Sequence, residues 1–135
     1  MTNPRTNASV APSAPKRQNP RQGLGATGER LAKEYLVAHG HEVLAENWRC
    51  QHGEIDLVTR DGAWIVVTEV KTRSGLAAGD PLEAIHPRKL ARLRTLAGVW
   101  SAEHPEHAGR LRLDAVSVLL VQGKPVIRHV TGIGS

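Results

Sequence analysis

Two runs of strand-forming residues flank Asp61-Gly62, and no other feature constrains this chain as tightly. Residues 54–60 alternate Ile55, Leu57 and Thr59 with Glu54, Asp56 and Val58. Residues 63–72 are rich in β-branched side chains and carry Trp64. Asp-Gly tolerates the left-handed backbone of a tight turn, so the two runs predict an antiparallel hairpin. The near-continuous apolar character of the second run predicts a central strand. Side chains alternate between the faces of a strand. Glu54 and Asp56 therefore share one face of the first strand, and Glu69 and Lys71 share one face of the second. Antiparallel pairing then lets Asp56 and Glu69 meet.

The flanking sequence fills in the rest of a domain. In residues 27–39, Leu31, Ala32, Tyr35 and Leu36 recur at helical spacing, and Gly40 supplies a stop. Residues 41–49 read as extended, followed by a turn at Gln51-His52-Gly53. Residues 73–80 are Gly-rich and polar, hence a loop. Asp80-Pro81 and His86-Pro87 each place Pro at a helix start. The second of these opens a helix over 87–102, with Leu90, Leu93, Ala97 and Trp100 along one side. Residues 111–121 and 126–130 read as two strands around a turn at 122–125. The expected fold is a single α/β domain over 24–135, a mixed central sheet flanked by helices.

Charge divides the chain differently. The net charge of +5 comes from 18 Lys and Arg, 13 Asp and Glu, with His neutral. Residues 1–23 hold Arg5, Lys16, Arg17 and Arg21, four Pro and no acid. With so little apolar surface to bury, this segment is expected to be a disordered tail. It is either simply solvated or a basic arm that adds attraction to phosphates. It lacks the apolar stretch of a secretory signal. Residues 24–135 are nearly neutral. No apolar run approaches the ~18 residues of a membrane span. A lone Cys50 excludes an internal disulfide and fits a reducing, cytoplasmic setting.

Converging carboxylates repel one another, and a cation resolves the conflict. Oxygen-only ligands favour a hard ion, so Asp56 and Glu69 are the expected ligands of Mg²⁺ (or Mn²⁺). Lys71 beside that ion is placed to position a water. This layout suits hydrolysis of a phosphodiester. Glu-x-Lys is a short pattern, and the other reading of Glu69 and Lys71 is an ion pair on a half-exposed sheet. Glu54 is read as a supporting acid. Arg88 and Arg92 lie one helical turn apart with Lys89 beside them. They form either a solvated face or, with Arg73, the nucleic-acid-contacting groups. Asp114 interrupts an apolar strand and reads as a hydrogen-bonded strand residue. Cys50-x-His52 offers only two zinc ligands, and no second pair follows. His86, His104 and His107 read as solvated surface.

Gly28-Glu29, Tyr35-Leu36, Asn47-Trp48-Arg49, Gly53-Glu54-Ile55-Asp56-Leu57, Glu69-Val70-Lys71-Thr72-Arg73 and Arg112-Leu113-Asp114 occur here in order. Together they resemble the YraN family of bacterial endonuclease-like proteins, over about residues 22–131. The resemblance implies a restriction-endonuclease-like fold, similar to that of archaeal Holliday-junction resolvases. It also implies an acid, Glu-x-Lys active site, with Asp56, Glu69 and Lys71 on the matching positions. Glu29 falls where the resolvase-like relatives carry an acid on the first helix. Its other reading is an acid near a helix N-terminus, favoured by the dipole. Thr68 and Leu113 depart from the usual pattern, away from the proposed site. The expected activity is Mg²⁺-dependent cleavage of nucleic acid, DNA foremost, including branched or structured forms. The alternatives are a non-catalytic nucleic-acid-binding module and an interaction component of a DNA-processing assembly. Symmetric cleavage of both strands would require a homodimer.

Overall fold

A computed structural model of the chain describes residues 20–75 and 85–134. The element order is α1 (Pro20–Ala38), β1 (Glu42–Cys50), β2 (Gly53–Asp61), β3 (Trp64–Ser74), α2 (Pro87–Glu103), β4 (Arg110–Val121) and β5 (Lys124–Val130). The strands form one five-stranded sheet in the order β1-β2-β3-β4-β5. The β3–β4 pair is parallel and the other three are antiparallel. The fold is therefore the expected mixed α/β sheet with helices, consistent with a restriction-endonuclease-like architecture. The hairpin is present, with Asp61 paired to Trp64 across Gly62-Ala63 and Gly62 at φ +61°. That φ lies in the left-handed region glycine adopts without cost.

Each helix covers its own part of the core. On α2, Leu93, Leu96, Ala97 and Trp100 pack with Ile55, Val58, Ile65, Val67 and Leu113. On α1, Ala32 and Leu36 pack with Leu57, Val70, Val116 and Val118. In β3, Ile65 and Val67 go to one cluster and Val70 to the other. Two-sided burial explains why that strand reads as an unbroken apolar run. His86 caps α2, its Nδ1 accepting from the Arg88 N–H at 3.2 Å, with Pro87 at the first helical position.

Three expectations change. Helix α1 begins at Pro20, not near residue 27, so it reaches into the segment read as disordered. Gly23, Gly25 and Gly28 lower the helical propensity of that stretch and conceal it. Gly28 has a packing reason: a Cβ there would overlap the Thr72 side chain, so glycine lets α1 lie against β3. With this start, Glu29 sits in the tenth position of the helix, too deep for a favourable dipole contact. His104 and His107 are not simply solvated: both rings stack on Trp100, at 4.2 and 5.8 Å. Residues 1–19 and the expected helix start at Asp80-Pro81 lie outside the described residues.

Candidate active site

Strands β2 and β3 pair only from Asp61↔Trp64 to Leu57↔Thr68. Beyond that point β2 continues against β1, and β3 continues against β4 through Ser74↔Leu120. The sheet forks there. The first residues past the fork are Asp56 on one strand and Glu69 on the other. Asp56 partly closes the gap itself: its Oδ2 accepts the Val70 N–H at 2.8 Å. A side chain thus takes the place of a ladder bond.

Lysines hold the Glu69 carboxylate. Glu69 is only 7% exposed. Its Oε2 lies 3.3 Å from Lys71 Nζ and 2.6 Å from Lys89 Nζ. The ion pair of the alternative reading is present, but half-buried and not on an exposed surface. Lys89 enters from the first turn of α2, so it faces the acid and not open solvent alone. Arg88 and Arg92 are exposed beside it. Arg73 is exposed too, and its Nη1 donates to the Thr72 carbonyl at 2.9 Å.

Two further carboxylates complete the acidic side. Glu29, from α1, faces the Asp56 and Asn47 side chains, and both favour its anion. Glu54 is exposed and pairs with Arg49 at 3.3 Å. By continuation of the β1–β2 register Asn47 stands opposite Asp56, at φ +50°. Asn tolerates this left-handed conformation better than most residues. Its contact with Glu29 had no sequence signal beyond an Asn inside a strand.

Electrostatics follow from this crowding. Burial, and then the Glu69 charge, push the Asp56 carboxyl up to about 7, against the Val70 N–H that favours its anion. Burial and Glu54 also raise Glu29. Asp56 is therefore placed to take up a proton near neutral pH. Burial and the neighbouring Lys89 lower Lys71. Burial pulls Lys89 the same way, but its contacts with Glu69 and Lys71 and the charges of Glu69 and Asp56 together outweigh that and leave it raised.

Among the described residues, no three His, Cys, Asp or Glu side chains form a ready-made metal cage. The donor set still suits a hard divalent cation. Such an ion needs only one or two carboxylates and keeps several waters. Asp56, Glu69 and Glu29 are all oxygen donors, and a cation would relieve their mutual repulsion. A cleft of about 560 Å³, lined by Leu24, Gly25, Glu29, Lys71, Thr72 and Arg73 among others, opens beside them.

A family model described as "Uncharacterised protein family UPF0102" matches residues 28–118. That span includes every residue of the forked site. The chain belongs to the UPF0102 family. Among UPF0102 relatives, a protein of Beutenbergia cavernae is 51% identical over 84% of this chain and 98% of its own length. One from Renibacterium salmoninarum is 47% identical over 82% of this chain and 95% of its own. One from Kineococcus radiotolerans is 49% identical over 84% and 94%. The UPF0102 match agrees with the YraN-family resemblance read from the motifs. No helix among the described residues of this UPF0102 member is long and apolar enough to cross a membrane.

Proposed function

We propose that this protein is a divalent-metal-dependent nuclease that hydrolyses phosphodiester bonds of nucleic acid. The observation that carries the reading is the fork. There, acids from α1, β2 and β3 converge with Lys71 and Lys89 where the sheet opens. Asp56 and Glu69 would hold Mg²⁺ or Mn²⁺, with Glu29 as a further donor. When bound, the ion supplies Lewis acidity toward the phosphoryl oxygens.

The chain's own groups do the rest. Lys71 orients the attacking water, and its lowered pKa eases proton acceptance at Nζ. Lys89, released from Glu69, is a point charge for a phosphate oxygen. Arg73, Arg88 and Arg92 are exposed guanidiniums around the same opening, suited to neighbouring phosphates. Glu54 tunes the pKa of Asp56 from outside. One such site cuts one strand, and a symmetric double-strand cut would need a second copy.

The test is a panel of single-stranded, duplex, flap and four-way-junction substrates with Mg²⁺, Mn²⁺ or chelator. Wild type should cleave at least one with metal, and Glu69→Ala and Asp56→Asn should not. Cleavage that survives either substitution, or chelation, refutes the assignment. A second reading, binding without hydrolysis, draws on the two lysines that already neutralise Glu69. It expects nucleic-acid affinity that survives Glu69→Ala and no metal-dependent product.

A further inference from the structure

The larger cavity lies at the other end of β3. Strand β5 pairs with β4 only from Ala115↔Val130 onward, so the first residues of β4 present an edge that β5 does not cover. The chain past β5 runs alongside, with the Ile133 N–H donating to the Leu113 carbonyl at 2.8 Å. A cleft of about 720 Å³ remains, within the size range of small-molecule sites. Its apolar part includes Leu111 and Ile133, and three arginines line it: Arg94, Arg110 and Arg112.

The arginines are not equivalent. Arg112 is committed to Asp61 and Asp114. Arg94 donates to the Gly134 carbonyl. Arg110 lies over the Trp64 ring, 4.7 Å from its centroid, and has no carboxylate partner among the described residues. Trp64 thus carries the Arg110 charge over its ring, with Arg112 also 5.7 Å from the ring centroid, beside an apolar wall. An apolar ligand alone would leave the cations without anionic partners. The chain's own residues 1–19, with Arg5, Lys16, Arg17 and no acid, have the wrong sign.

We infer that this cleft binds one nucleotide unit of a single-stranded nucleic acid. Its base extends the Trp64–Arg110 stack, and its phosphate pairs with Arg110 and Arg94. Bases stack on aromatic rings and on guanidinium planes alike, and such stacking tolerates any sequence. Trp64 and Glu69 are five positions apart on one strand, about 17 Å at ~3.3 Å per residue. That is about five stacked nucleotide steps at ~3.4 Å each. The odd spacing projects Trp64 and Glu69 from opposite faces of β3, so the cleft and the acids are separate sites. The inference does not depend on hydrolysis.

The experiment uses the full chain in chelator, so loss of cleavage has no bearing on it. The indole N–H resonance of Trp64, assigned with Trp64→Phe, is followed by NMR during titration with oligo-dT of ten residues. The same titration is run with thymidine monophosphate, inorganic phosphate and an acidic hexapeptide. The Trp64 resonance should move with the oligonucleotide, move only at far higher concentration with the mononucleotide, and stay put with phosphate or peptide. Arg110→Ala with Arg94→Ala should weaken oligonucleotide binding at least 10-fold. It should lower the salt slope by about 0.7, the contribution of one single-strand phosphate contact. A resonance that does not respond to oligo-dT overturns the inference, as does wild-type affinity in the double variant. An equal response to the peptide or to phosphate marks a generic anion trap, and one to the mononucleotide marks a free-nucleotide pocket. Either result also overturns it.

Discussion

Two aspartates in this sheet, one buried and one half-buried, have opposite fates. Asp114 in β4 is fully buried, yet its carboxyl is held down at about 2. Burial alone would raise it. Bonds from His129, Arg112 and the Gly132 N–H outweigh that cost, at 2.8, 2.8–2.9 and 3.1 Å. Asp56, in β2, receives one backbone N–H and is otherwise surrounded by acids, so burial wins and its carboxyl rises to about 7. Partner supply, more than depth, decides the sign. Asp114 is a satisfied structural ion. Asp56 is held by a single backbone N–H among other acids, and under the proposed function a cation would complete it.

The largest effect should come from breaking the satisfied side. Asp114→Ala leaves Arg112 short of its partner and should cost about 3–5 kcal/mol, read by denaturant unfolding. A loss under ~1 kcal/mol would mean that the network contributes little. Because Asp114 is depressed in the folded state, its stabilisation is complete above about pH 4. It should fade as pH drops from there toward 2.

Asp56 should behave in the opposite way. Its folded pKa lies above the unfolded value, so the folded state binds the proton more tightly. Without metal, stability should therefore fall as pH rises from about 4 to 7, then level off. Asp56→Asn keeps an acceptor for Val70 and removes the charge. It should stabilise the metal-free protein by about 2–4 kcal/mol at pH 8 and hardly at all at pH 4. Divalent ions should stabilise wild type more at pH 8 than at pH 5, and the variant at neither. A variant less stable than wild type at pH 8 would place Asp56 with Asp114 among the structural ions.

The contrast also marks what a single sequence can reveal. Asp56, Glu69 and Lys71 sit on strands joined by a two-residue turn, so alternation alone brings them together. The Asp114 network draws on His129 of β5 and Gly132 just after it, and through Arg112 it reaches Asp61 of β2 and His41 just before β1. No local period predicts such a meeting. Lys89 shows the same limit from the other side. Its helix was legible, and so was its basic cluster. Its contact with Glu69 depends on where α2 crosses the sheet, which sequence spacing does not encode. Asn47 and the true start of α1 were hidden by a left-handed strand residue and by helical glycines.

Gly28 tests whether α1 must stay close for the fork to work. Gly28→Ala introduces a Cβ where Thr72 stands and should cost about 1–3 kcal/mol as the helix shifts. Glu29 moves with the helix, so divalent-ion affinity should fall as well. The pair Gly28→Ala, Thr72→Ala removes the Oγ1 and Cγ2 that crowd the new Cβ and should recover part of both losses. Recovery of stability without recovery of ion affinity would detach Glu29 from the site.

The smallest effect concerns Glu54, which separates supporting charge from ligation. It is exposed and bonded to Arg49, so Glu54→Gln should change stability by no more than about 0.5 kcal/mol. Its charge nevertheless raises both Glu29 and Asp56. Removing it should lower the midpoint of the Asp56 titration, followed through the side-chain carboxyl carbon by NMR. Divalent ions would then compete with a less basic carboxylate, and their affinity should become less dependent on pH between 6 and 8. An unmoved midpoint would leave burial, Glu69 and Glu29 as the causes. A collapse of ion affinity at all pH values would instead make Glu54 a ligand. The fork would then use the outer acid of β2 as directly as the inner one.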